Sequence, residues 1–199
     1  MNFNEIIGTA EGWLEIIKVT NGEEETVFSD KNVVCSGMGV TLAGMFSATG
    51  VDVSSYQVNL FQVGSSGTTA LQVSSTGRLG NALTDLEIGT NSLMGLNKTA
   101  GTVVSGTASY TDEAFMVLPA GYIDRIDSRT ARWNLHIDEN TCNGSEINEI
   151  GMFSNNPAET NPSKSWLCAY RFFGDITNAD KGIWKSNQFS LIFRWTISF

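Results

Sequence analysis

The chain has 199 residues, the length of one ordinary domain with a single core. Its formal net charge is −9, and Arg125, Arg129 and Arg132, the densest basic group, are interleaved with Asp124, Asp127 and Asp138, so nucleic acid and anionic membranes are excluded as partners. Charged residues make up only 17%, Gly is frequent at 20 residues, and apolar residues run through most of the chain, which excludes a largely disordered protein and suits short strands joined by polar turns.

At the N-terminus, MNFNEIIGTAEGW carries acids where a signal peptide would carry a basic stretch and an apolar run. No window approaches the roughly 18 apolar residues of a membrane span. The expectation is a protein made in a cytosol and soluble there. Cys35, Cys142 and Cys168 are odd in number and form no CxxC pair, so they read as small buried apolar side chains, not as disulfides.

Gly12 to Val19 is rich in Ile, Val and Trp, and Asn21-Gly22 separates it from Glu23 to Phe28, which predicts a hairpin. A short helix near residues 36–47 follows, with Ser36 as its cap and Met38, Leu42, Met45 and Phe46 on one apolar face. Tyr56 to Val63 reads as a strand closed by Gly64-Ser65-Ser66-Gly67. Residues 68–110 form a Gly- and Thr-rich excursion, over the surface or as short edge strands. Ala114 to Leu118 is an apolar stretch stopped by Pro119.

From Ala131 to Asp138 apolar and polar residues alternate, the period of a half-buried antiparallel strand. Glu139 to Ser145 is turn chemistry. Ile147 to Phe153 reads as a strand broken by Gly151, and Asn155 to Ser165 as a polar loop. Trp166 to Phe173 is apolar on both faces, as expected of a central strand or one covered by a partner. Phe189, Leu191, Phe193, Trp195, Ile197 and Phe199 alternate with polar or smaller neighbours to the last residue, so this segment must lie in a sheet or be gripped by a neighbouring subunit. One domain over 1–199 is expected: mainly β, an antiparallel sandwich or jelly roll with one short helix.

Catalytic chemistry is hard to assemble from these residues. His136 is the only histidine, with Asp138 two positions along the same strand face, but no Ser or Cys nucleophile is placed beside them. One histidine and scattered cysteines argue against zinc. Glu23, Glu24 and Glu25 belong to a solvated hairpin tip, and Glu146 and Glu149 face different directions, which argues against a glycosidase pair. Asp124 and Asp127 lack the spacing of an EF-hand loop. Gly64-Ser65-Ser66-Gly67 follows a strand but opens no helix and precedes no GK[ST], so a phosphate loop is not expected. Catalytic residues, cofactor and metal are all expected to be absent.

Three stretches, the third a succession of three elements, resemble small virion structural proteins of tailed bacteriophages. Lys31-Asn32-Val33-Val34, then Ser36-Gly37 and Leu42-Ala43, is similar to their N-x-V/I opening with its Gly and L-A helix. Phe61-Gln62-Val63-Gly64 is similar to the VGxGxT turn that follows. Ile147-Asn148-Glu149-Ile150-Gly151-Met152-Phe153 resembles their INEIGLF element, and Trp166 to Phe173 their LxARxxF strand. Lys181 or Lys185 and then Trp195 to Phe199 resemble the closing lysine turn and W-x-I-x-F strand. Residues 68–110 have no counterpart.

The resemblance implies a non-catalytic subunit of the tail or neck, a fibre or fibre adaptor. It implies a homotrimer or higher ring that docks onto portal, neck, tail or fibre proteins within the virion after synthesis in the bacterial cytoplasm. A capsid decoration protein and a glycan-binding or glycan-cleaving receptor module are the alternatives. Arg171, Phe189, Phe193, Trp195, Ile197 and Phe199 are the residues expected at the assembly interface. Arg171 is expected to pair with an acid such as Glu149 or to stack on a ring.

Overall fold

A computed structural model describes residues 10–47, 50, 52–64, 109–110, 116–118, 120–155, 157, 166–173 and 182–199. The excursion up to residue 108, the Ser65 to Gly67 turn, most of the 155–165 loop, Lys181 and the first nine residues lie outside them.

Among the described residues the protein is mainly antiparallel β with one α-helix. Twelve strands are described: β1 (Glu11–Thr20), β2 (Glu23–Val34), β3 (Val58–Gly64), β4 (Ser109–Tyr110), β5 (Met116–Val117), β6 (Ile123–Arg125), β7 (Thr130–Ile137), β8 (Ser145–Ile147), β9 (Glu149–Ser154), β10 (Trp166–Phe172), β11 (Ile183–Lys185) and β12 (Ser190–Ser198). Helix α1 spans Ser36–Ser47. Ten strands follow the order β4-β5-β3-β9-β10-β2-β1-β12-β7-β6, and β11 pairs separately with β8.

The expected first hairpin forms. Asn21 (φ 53°) and Gly22 (φ 85°) both adopt positive φ, the two-residue turn whose twist matches its strands, and β1 and β2 pair from Thr20↔Glu23 onward. β2 then runs beyond Phe28 and changes partner. Up to Asn32 it pairs with β1, whereas Val33 and Val34 pair with Tyr170 and Ala169 of β10. β2 therefore joins two leaves, β6-β7-β12-β1-β2 on one side and β2-β10-β9-β3-β5-β4 on the other.

Side chains of both leaves meet in one core. Phe61 of β3 lies 6.5 Å from Trp195 of β12, and Phe173 lies 6.1 Å from Phe193. The Trp133 indole N–H on β7 donates to the Val58 carbonyl on β3 at 2.7 Å. Trp133, Leu135 and Ile137 are buried on the alternating face expected of β7. β9 and β10 are central and covered on both sides, so their residues are buried almost without alternation.

Two boundaries move. The strand expected from Tyr56 starts at Val58, because Tyr56 ends a 3₁₀ turn over residues 53–56 that Asp52 caps by accepting from the Ser54 N–H at 2.9 Å. The strand from Ile147 onward breaks at Asn148, between β8 and β9, and not at Gly151. Gly151 stays inside β9, where an added Cβ would meet the Phe153 ring at 2.8 Å.

Helix α1 lies against the second leaf. An added Cβ at Gly37 would meet the Leu167 carbonyl oxygen at 2.1 Å, so only glycine admits the approach. Thr41, buried, donates to the Gly37 carbonyl at 2.8 Å and sits 2.5 Å from the Ser154 hydroxyl. Its inward face is thus Gly37, Met38 and Thr41. Phe46, expected on the buried face, points outward: it stands some 100° round the helix from Met45 and is 79% exposed.

Candidate functional site

The residues expected at an assembly interface are mostly sheltered by the chain itself. β12 sits between β1 and β7, with Phe193 against Ile16 and Leu135, and Phe193, Trp195 and Ile197 have no exposed surface. A side chain without accessible surface has none to give to another subunit, so these three are core residues. Phe189, also buried, instead carries two ammonium groups on its ring, Lys18 at 4.8 Å and Lys185 at 5.2 Å. Of the apolar members only Phe199 remains half-buried at the surface.

Arg171 is held within the chain as well. Its guanidinium pairs with Asp30 on β2 at 2.5 Å, donates to the Lys31 carbonyl at 2.7 Å and lies 5.2 Å from the Phe28 ring. It stacks on a ring, as expected, and an acid it pairs with is Asp30. Tyr170 supplies a donor to Glu149, its hydroxyl lying 2.7 Å from the carboxylate deep in the second leaf. Burial first, and then the Glu149 charge, holds the Tyr170 phenol well above its usual range.

A second polar group surrounds the β7–β8 turn. Lys185 of β11 is fully buried and donates to Asn143 Oδ1 at 3.1 Å and to the Ser186 carbonyl at 2.7 Å. Burial lowers its pKa, opposed by nearby Cys142, Asp138 and Glu139. Burial likewise pushes the Cys142 thiol up to about 12, so it is a protonated, unreactive thiol at neutral pH. All three cysteines are free and buried, as expected.

Among the described residues, the acid–base candidates do not converge. Asp138 does not orient His136; its carboxylate accepts from the Asn140 N–H at 2.9 Å and the Thr141 hydroxyl at 2.8 Å to shape the turn. His136 is half-buried, with the Tyr122 ring edge-on at 5.6 Å. Glu146 is turned to the Gly182 N–H, away from the Tyr170 and Glu149 pair. Asp124 accepts from Asn134 and Asp127 from the Arg129 N–H, both within the β6–β7 hairpin. Among the described residues, no group of three or more His, Cys, Asp or Glu is placed to hold a metal ion. No described helix is long and apolar enough to cross a membrane.

The surface is more distinctive than the buried chemistry. Beside α1 runs an apolar groove of about 230 Å³ lined by Met38, Leu42, Met45, Tyr56, Trp133 and Phe199, among others. Val40, Met45 and Phe46 of α1 and Val53 of the following turn are exposed. No charged residue occurs between Lys31 and Asp52. That uncharged run is the sequence signal for this surface, and the expectation of an inward-facing Phe46 obscured it. Elsewhere Trp184 on β11 stands 64% exposed.

Compared with known proteins, the chain matches no family model, no curated protein and no solved structure.

Proposed function

We propose that the chain is a non-catalytic structural subunit of a tailed-phage virion, a tail or neck appendage of fibre or fibre-adaptor type, and that it works by oligomeric assembly. The observation that carries this reading is spatial. The resembling stretches between Lys31 and Phe173 are scattered in sequence yet are neighbours in the fold, whereas the closing one, Trp195 to Phe199, lies in the first leaf between β1 and β7. The end of β2 pairs with β10, β10 with β9, and β9 with β3 through Gln62↔Gly151 and Val63↔Ile150, while α1 packs on β10. Four adjacent strands and a helix are a unit that can be retained as a whole, which lends the weak individual motifs joint weight.

The uncharged apolar face at α1 supports assembly as the mode of action, because exposed apolar surface gains about 25 cal/mol per Å² on burial before association costs. Sedimentation of the purified protein over a wide concentration range tests the reading. A trimer or higher ring is expected, and a monomer at every concentration would overturn it. Imaging of labelled virions separates an appendage from a capsid decoration protein.

The exposed Trp184 favours a second reading, a glycan-binding receptor module, since an indole face is a platform for sugar rings. Binding of host polysaccharide that is lost in Trp184→Ala would establish it, and release of reducing sugar would establish cleavage.

A further inference from the structure

Phe46 is the most exposed large apolar side chain described, at 79%, and it follows Met45, which lines an apolar groove. The two features share one helix. Met38, Leu42 and Met45 wall the groove, and Phe46 follows Met45 in the chain and stands about 40° round the helix from Leu42. A knob beside a hole on one surface is self-complementary: a two-fold axis through the helix rim brings each knob over the other copy's hole.

Charge selects the occupant. A chain of net charge −9 repels its own copies over most of its surface, so close approach is least costly where charge is absent. Residues 32–51 contain no Asp, Glu, Lys or Arg, and Asp52, at the edge, is engaged as the cap of the following turn. Residues 32–51 thus offer no salt-bridge partner to an acidic or a basic protein and lack the repulsion that separates two copies elsewhere; one charged group bonded to a groove residue is Arg129, whose Nε donates to Phe199.

We infer that α1 and its groove form a two-fold interface between copies of this chain, the Phe46 ring of each seated against Met38, Leu42, Met45 and Tyr56 of the other. The inference rests on the assembly reading for association between copies; a two-fold pair closes as a dimer, so a trimer or ring needs a second, heterologous surface as well. A ring of Phe46's size, nearly all of it in water, is the kind of central aromatic anchor that dominates an interface. Phe199 closes one end of the groove and is the single member of the expected interface set that takes part.

Sedimentation velocity on the wild type, Phe46→Asp and Phe46→Leu tests this. The exposed position keeps both variants folded, and circular dichroism melts check it. Wild type is expected to associate, Phe46→Asp to associate roughly ten-fold or more weakly, as for loss of a central anchor, and Phe46→Leu to retain part of the affinity. If wild type associates and Phe46→Asp associates equally well, the inference fails while the assembly reading stands on another surface. If wild type never associates, both fail. Photocrosslinking from p-benzoylphenylalanine at position 46, with isotopically mixed chains, supplies an independent readout. Cross-chain capture at Met38, Met45 or Tyr56 is expected. Capture within one chain, including by residues 1–9, would overturn the two-fold interface.

Discussion

Tyr170 donates to the buried Glu149 carboxylate at 2.7 Å, and removal of that hydroxyl leaves a charged acceptor short of a donor. Tyr170→Phe is therefore expected to cost about 1.5–3 kcal/mol in urea unfolding, the range for hydrogen bonds to charged groups. The pair also sets an alkaline limit. The folded phenol titrates above its ordinary value of 10, so its contribution is fully present below pH 10 and lost as pH rises further. Tyr170→Phe should lose less stability than wild type between pH 10 and 11.5. His136 behaves in the opposite sense. Burial, then Arg194, lowers its pKa from 6.5, so the unfolded chain binds the proton first and stability declines as pH falls below 6.5. As the single histidine, it alone has an ordinary pKa near that pH, and melting temperatures of His136→Gln should be flatter than wild type between pH 7.5 and 5.5. None of this was legible in sequence beyond the residue types. Tyr170 and Glu149 are 21 positions apart, and their meeting depends on the β9–β10 pairing.

At the scale of elements, the seat of α1 is set by two kinds of glycine. Gly37 is pressed against the Leu167 carbonyl, whereas an added Cβ at Gly39 would meet nothing within 4 Å. Helix propensity favours alanine at both positions by about 1 kcal/mol. Gly39→Ala should therefore stabilise by up to that amount, while Gly37→Ala should destabilise by about 1–3 kcal/mol through overpacking against backbone that cannot yield. Equal effects in thermal or urea unfolding would mean that α1 does not pack as described. Most strands were legible because their signals are local: the Asn21-Gly22 turn, the alternation of β7 and β12, the two-faced apolar run of β10. The exposed side of α1 was not, because in a short helix with glycine on its inner face the closest approach selects what is buried. Gly37 and Thr41 turned inward and left Phe46 outside.

At the scale of the whole molecule, sheet order was the least legible property. The alternating C-terminal segment announced a strand, but its partners β1 and β7 are distant in sequence, and no local pattern names them. The same segment read equally well as a surface for another subunit until its place inside the sheet was known. That position makes a prediction about cooperativity. Trp195 belongs to the first leaf, yet its ring faces Phe61 of the second at 6.5 Å, and it has no exposed surface. Trp195→Ala should cost about 3–5 kcal/mol, as for other large aromatic truncations in a packed core. The leaves share β2, the core and the Trp133 to Val58 hydrogen bond, so the loss should be felt in both. Native-state hydrogen exchange on the variant is expected to show protection falling together in β7 and β12 of the first leaf and in β9 and β10 of the second. Loss confined to the first leaf would mean that the second unfolds as a separate unit, with β2 a tether and not a shared strand.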